Sequence, residues 1–198
     1  MRSAVVVPVK AFAAAKLRLA EVLAPTQRVA IARAMAAHVI GAAGPLPVAV
    51  VCDDDEVAAF AVELGAEVLW TPGLGLNGAV TEGVARLAAV GVDEVVVAHA
   101  DLPFAAGLRA LAGTTGTATI VGDRHGDGTN VLAVPATIGF AFAYGPRSFT
   151  RHRAEAARLG LAERVVHDAG LAWDVDVPTD LHPPTELGPL PWAVQPCP

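Results

Sequence analysis

The chain has 198 residues, 54% of them hydrophobic, and a formal charge of −6, a size and apolar content that suit one domain with a large buried core and argue against a second independent domain. No run of Lys or Arg occurs anywhere, which excludes an electrostatic case for nucleic acid or a membrane surface as partner. Charge or proline interrupts every apolar stretch before it reaches a spanning length, and Met1-Arg2-Ser3 leads into a strand-like run rather than a signal peptide, so the expected compartment is the cytoplasm and the expected partner a small molecule.

The first element is the continuous apolar run Ala4–Val9, the pattern of a strand buried on both faces in a parallel sheet. A polar loop with Lys10, Lys16 and Arg18 follows. Thr26 is placed to cap a helix with apolar positions Val29, Ala32, Met35, Val39 and Ile40, stopped at Gly44-Pro45. Val48–Cys52 reads as the second strand, Asp53-Asp54-Asp55 as a cap region, the next segment to about Leu64 as a helix, and Glu67–Leu69 as a short strand. A glycine-rich loop from Thr71 to Asn77 opens a helix to about Ala89, and Glu94–Ala98 forms another buried strand ending at His99-Ala100-Asp101. This alternation predicts a single-domain, mostly parallel, doubly wound α/β sheet.

From Gly113 the texture changes. Thr117–Val121 and Asn130–Val134 flank the polar loop from Gly122 to Thr129 and read as an inserted β pair. Ser148 is placed to cap a helix to about Leu159, and 164–167 and 172–176 read as closing strands. Residues 1–182 are therefore assigned to the domain and 183–198, with six prolines, to an irregular or disordered tail that Trp192 anchors if it packs.

In open α/β sheets ligands bind beyond the carboxyl ends of the strands, so acidic residues there are the first candidates. Asp101 follows a buried strand and precedes Leu102-Pro103; it either caps the following turn or ligates Mg²⁺, a hard cation that takes one or two carboxylates with phosphate oxygens. Asp174 and Asp176, two apart in an extended segment, are expected on one face, as a solvated strand end or as the second arm of a metal site. The basic residues number 14, all Arg except Lys10 and Lys16, so the two lysines in one short segment mark places where a compact ammonium is wanted. The two cysteines, Cys52 and Cys197, have no metal-ligand spacing, and the glycine loop matches neither the P-loop nor GxGxxG.

His99-Ala100-Asp101-Leu102-Pro103, Asp123–Asn130, Tyr144–Phe149 and Asp174–Leu181 together resemble the motifs of the 2-phospholactate/phosphoenolpyruvate guanylyltransferase family, in order and in spacing, over about Ala4 to Leu181. The resemblance implies a nucleotidyltransferase fold of glycosyltransferase-A type. It also implies transfer of GMP from GTP to a small phosphorylated three-carbon acid, in the assembly of the deazaflavin coenzyme F-420, with pyrophosphate released and Mg²⁺ as cofactor.

Carried over residue by residue, Asp101 and Asp176, with Asp174 as the alternative to Asp176, would ligate the metal. Lys10, Lys16 and Arg18 would hold the GTP phosphates, Lys16 acting with the two metal carboxylates in catalysis. Thr129, Gly145 and Ser148 would bind the acid, although Ser148 also reads as an N-cap and Gly145-Pro146 as a turn. Gly75 and Asn77 fall where the base or ribose is expected, Asn77 either capping its helix or reading guanine edges. The chain departs from the family at Arg147 and Leu74, where glycine is common. Phosphoenolpyruvate is favoured over 2-phospholactate from the Ala/Arg-rich composition. The alternatives are another nucleotidyltransferase of this fold and a non-catalytic nucleotide-binding subunit.

Overall fold

Seven strands form one sheet in the computed structural model, which describes residues 1–192. The strands are β1 (Ser3–Pro8), β2 (Val48–Cys52), β3 (Glu67–Trp70), β4 (Glu94–Ala98), β5 (Thr117–Gly122), β6 (Thr129–Pro135) and β7 (Ala162–Val165), in the spatial order β3-β2-β1-β4-β6-β5-β7. Only β6 runs against its neighbours, pairing antiparallel with β4 and with β5, while the other four pairings are parallel. The inserted pair read from the sequence is thus a hairpin within the main sheet.

Helices cover both faces, as an all-apolar strand requires. Helices α1 (Pro25–Ala42) and α2 (Asp55–Glu63) lie on one side; α3 (Gly75–Ala89) and α4 (Ser148–Arg158) lie on the other. The alternation of strand side chains divides the core between them. Val5 and Val7 join Ala36, Val39 and Phe60 in one cluster, whereas Ala4 and Val6 join Val80, Val84 and Leu87 in the other. Val96 and Val97 divide the same way from β4. A third cluster of Leu19, Leu23, Ile31, Met35 and Val175 receives Leu190 and Trp192, so these two residues of the proline-rich segment pack on the domain. Residues 193–198, including Cys197 and the end of the expected tail, lie outside the described residues.

Local details differ from the sequence reading at three places. Thr26 does not cap α1: the N-cap is Ala24, whose side chain accepts nothing, Pro25 supplies the first turn, and Gln27 Oε1 accepts the Ala24 N–H at 2.9 Å, the return half of a capping box. Ser148 does not cap α4 either; the N-cap is Arg147, with φ 58°. Residues 172–176 are not a strand. They run as irregular chain with only isolated ties, such as Val175 N–H to Asp101 C=O at 3.2 Å and Arg124 N–H to Ala172 C=O at 2.9 Å, because these partners lie beyond the carboxyl ends of β4 and β5 and belong to no strand.

Close packing of α3 on the sheet depends on a missing side chain. A Cβ at Gly83 would lie 2.5 Å from Val51 Cγ1, well inside contact distance. Gly83→Val should lower unfolding free energy by about 2 kcal/mol through overpacking. Gly41→Ala, with open space around it, should instead raise it by about 0.5–1 kcal/mol through helix propensity; urea denaturation of both variants checks the pair.

Candidate active site

Strand order reverses at β1, with β2 on one side and β4 on the other, and this opens a crevice beyond the carboxyl ends of those strands. The crevice is a cavity of about 570 Å³, walled by Pro8, Val9 and Lys10 at the end of β1, Cys52 and Asp53 at the end of β2, Thr71 after β3, and His99 to Asp101 after β4. Gly75 and Leu76, at the start of α3, close one side and Phe12 to Lys16 another. The 10–20 loop is pinned by two fully buried anchors, Phe12 and Leu19, the first packed edge-on against Phe60 at 5.1 Å. Between them Lys16 takes a left-handed conformation, φ 53° and ψ 37°. Lys16 and Arg147 are the only non-glycine residues with positive φ among the described residues. Each sits in a stretch singled out for chemistry, the setting in which backbone strain is commonly held by surrounding structure.

Lys16 gathers the acidic residues. Its Nζ donates to Asp101 Oδ2 at 2.8 Å and to Asp176 Oδ1 at 2.9 Å, and its side chain is 9% exposed. Burial by itself pulls the lysine pKa down, but the two carboxylates outweigh it and the net shift is upward. Asp101 mirrors this: burial pushes its carboxyl up, and Lys16 with His99 brings it below the ordinary range. Asp174 behaves differently. Its carboxylate meets Arg124 Nη1 at 3.3 Å rather than Lys16, and burial together with the nearby Asp101 raises its pKa. The expected acidic pair therefore divides between two cations, because the chain there is not a regular strand.

Three buried polar atoms near this point have no hydrogen-bond partner: Asp101 Oδ1, His99 Nε2 and the Tyr144 hydroxyl. The rings of His99 and Tyr144 are in contact at 4.8 Å. Among the described residues no three His, Cys, Asp or Glu side chains form a ready-made metal cage. A hard cation fits the donor set nonetheless, since Asp101 and Asp176 present carboxylate oxygens to one positive charge and Asp101 keeps a free one.

Of the residues assigned to nucleotide binding, Lys10, Lys16 and Gly75 line the cavity. Arg18 is exposed on the short turn Leu17–Leu19 and stands outside the cavity wall. Asn77 lies inside the first turn of α3, not at its cap. Its amide is engaged on both sides by Tyr144, accepting from the backbone N–H at 2.7 Å and donating to the C=O at 3.3 Å. Thr129, Gly145 and Ser148 come together on the far side of β4, with Thr129 and Ser148 buried and the Ser148 N–H donating to Gly145 C=O at 3.0 Å. Gly145 has φ 108°, which suits glycine. At Arg147, where the family favours glycine, the turn keeps the left-handed backbone and the side chain is exposed.

Sequence reasoning missed the groups that hold this arrangement. Asp180, 1% exposed, accepts the N–H groups of Asp176 and Val177 at 2.7 and 2.8 Å. Its other oxygen is gripped by Arg124 Nη2, and the Arg124 guanidinium also stacks on Trp173 at 4.3 Å. Fully buried His152 joins α4 to the hairpin through Thr129. An aspartate that follows a proline by two reads as a helix-start residue, and a histidine within a helix gives no signal of its partners, so neither role was legible.

Comparison with known proteins places the chain among guanylyl transferases: the family described as "Guanylyl transferase CofC like" matches residues 3–184. The phosphoenolpyruvate guanylyltransferase of Sphaerobacter thermophilus is 36% identical over 190 residues, covering 91% of each chain; that of Rubrobacter xylanophilus is 38% identical, covering 89% of this chain and 90% of its own. Among solved structures, a nucleotidyl transferase from Methanothermobacter thermautotroptrophicus superposes with a TM-score of 0.64 at 18% identity, over 90% of this chain and 94% of that one; it shares the fold. No helix among the described residues is long and apolar enough to cross a membrane.

Two consequences are measurable. Asp180→Ala removes the buried carboxylate from Arg124, leaving it only Asp174, and leaves two backbone donors without an acceptor, and should cost about 3 kcal/mol in denaturant unfolding. His152 has its pKa lowered to about 4 by burial, with His99 and Arg151 adding to it. Well above pH 6.5 its ring is neutral in folded and unfolded chains alike; between pH 6.5 and pH 4 the unfolded chain takes the proton and the folded chain does not, so stability falls as pH drops through that window, by about 3 kcal/mol from this residue. Unfolding curves across that range should show the slope, and His152→Gln should flatten it.

Proposed function

The chain belongs to the CofC-like guanylyl transferase family, and we propose that it transfers GMP from GTP to phosphoenolpyruvate with release of pyrophosphate, using Mg²⁺, in the assembly of coenzyme F-420. The observation that carries this reading is the meeting of Asp101 and Asp176, from distant parts of the chain, on one cation at the mouth of the nucleotide-sized crevice. The phosphoenolpyruvate guanylyltransferase activity named for the Sphaerobacter and Rubrobacter relatives supports phosphoenolpyruvate over 2-phospholactate as acceptor.

In this reaction an oxygen of the acceptor phosphate forms a bond to the α-phosphorus of GTP, while the bond from that phosphorus to the oxygen bridging the β-phosphate breaks and leaves with pyrophosphate. The acceptor is already ionised, so no general base is required. What the protein supplies is alignment of two polyanions and positive charge where negative charge develops. Asp101 and Asp176 are assigned to hold Mg²⁺, which when bound shields the phosphate oxygens and stabilises the departing charge. Asp174 is the weaker candidate because Arg124 already holds it. Lys10 and Lys16 supply fixed positive charge to the triphosphate, Arg18 is the weaker candidate because it stands outside the cavity wall, and Gly75 lets the α3 backbone approach the nucleotide. Asn77 contributes by holding Tyr144, and Thr129, Gly145 and Ser148 form the acceptor side. The catalytic unit is assigned to residues 1–182, in keeping with the family match.

Purified protein incubated with GTP, Mg²⁺ and, separately, phosphoenolpyruvate, 2-phospholactate and 3-phosphoglycerate should give pyrophosphate and a guanylylated product of the expected mass with phosphoenolpyruvate. Chelation by EDTA should stop it, and Asp101→Asn should lower kcat by roughly 10²–10³-fold. Full turnover in EDTA, or unchanged turnover by Asp101→Asn, would refute the metal-carboxylate assignment.

A further inference from the structure

The acceptor side of the site contains a polar group that the reaction as described does not use. His152 sits on the inward face of α4 with no exposed surface, among the rings of Phe140 and Tyr144 at 5.9 and 4.8 Å. A side chain there for filling alone would be apolar, since burying an imidazole is costly unless its nitrogens are satisfied. Both are satisfied. Nε2 lies 2.9 Å from the backbone N of Ala143, whose N–H must donate to it, so Nε2 carries no proton. In the neutral ring the remaining N–H is then on Nδ1, which lies 3.0 Å from Thr129 Oγ1 and donates to it. The hydroxyl, receiving one hydrogen bond, keeps its own proton for a different oxygen.

These contacts join three segments distant in sequence. Thr129 begins β6, Ala143 precedes Tyr144-Gly145, and Ser148 begins the helix that carries His152. They are also the segments assigned to acceptor binding. From this convergence we infer that His152 is a positioning residue for the acceptor acid: its two ring nitrogens lock Thr129 against the Ala143–Gly145 backbone and set the Thr129 hydroxyl as a hydrogen-bond donor. The inference rests on the guanylyltransferase reading and deepens it. The role is separate from that of the cavity beside β1, whose wall His152 does not join. His152 therefore bears on acceptor recognition and not on GTP binding.

Two amide substitutions separate the ring's functions, because an Asn amide reaches about where Nδ1 stands and a Gln amide about where Nε2 stands. His152→Asn retains a donor toward Thr129. His152→Gln retains the acceptor for Ala143 N–H and loses the donor. Steady-state kinetics with phosphoenolpyruvate and GTP varied in turn should show the acceptor KM raised about tenfold in His152→Gln, with the GTP KM within twofold of the unsubstituted protein, and rescue toward the unsubstituted acceptor KM in His152→Asn. An unchanged acceptor KM in His152→Gln, or equal rises in both KM values, overturns the positioning role. Long-range ¹H–¹⁵N spectra of the unsubstituted protein provide a test independent of the variants' folding: the Nδ1–H tautomer of His152 is expected, and the Nε2–H tautomer refutes the inference. If the unsubstituted protein transfers no GMP to any of the three acids, the functional reading fails and takes the inference with it, an outcome distinct from activity with an unmoved KM.

Discussion

One ammonium between two carboxylates organises the functional end of this molecule. Asp101 arrives at the end of β4 and Asp176 on irregular chain beyond β7, and at the close range set by a shared Lys16 their charges would repel strongly in a partly buried setting. Lys16 turns that repulsion into attraction, and the opposite pKa shifts of Lys16 and Asp101 express the same coupling from its two ends. A compact ammonium suits this position better than a guanidinium, whose planar fork favours bidentate pairing with one carboxylate over bridging two. It also explains why a chain that uses Arg at every basic position except 10 and 16 keeps Lys here. The left-handed backbone at Lys16 is tolerated because Phe12 and Leu19 anchor the loop on either side.

Around this centre, buried and half-buried polar side chains tie the motif segments together. Asp180 holds the Asp176 and Val177 amides and is itself held by Arg124 from the hairpin loop. Asn77, on α3, holds both backbone groups of Tyr144. His152, on α4, holds Ala143 and Thr129. Cross-links of this kind place the crevice at β1 and the β6/α4 surface in a fixed relation, as a reaction joining two polyanions requires: alignment contributes to rate only if both binding surfaces keep their geometry.

The strands and helices were largely legible because apolar continuity and helical spacing are local signals, and burial on both faces of β1, β2 and β4 leaves few other readings. The failures were local too. Thr26 and Ser148 are good capping residues by type, yet Ala24 and Arg147 occupy the N-cap positions, since a cap depends on where the backbone leaves the helical region and residue type alone does not set that. Residues 172–176 have strand-like composition, but their backbone partners, Asp101 and Arg124, lie beyond strand ends.

The sequence by itself determined the family and the doubly wound sheet, because each is written in contiguous residues. Tertiary structure alone decided the partnerships: that Asp176 and not Asp174 shares Lys16 with Asp101, that Asn77 faces Tyr144, and that Arg124, Asp180 and His152 belong to the site's support. Hydrogen bonds and ion pairs act over about 3 Å, and which side chains come that close is set by crossings between segments far apart in the chain.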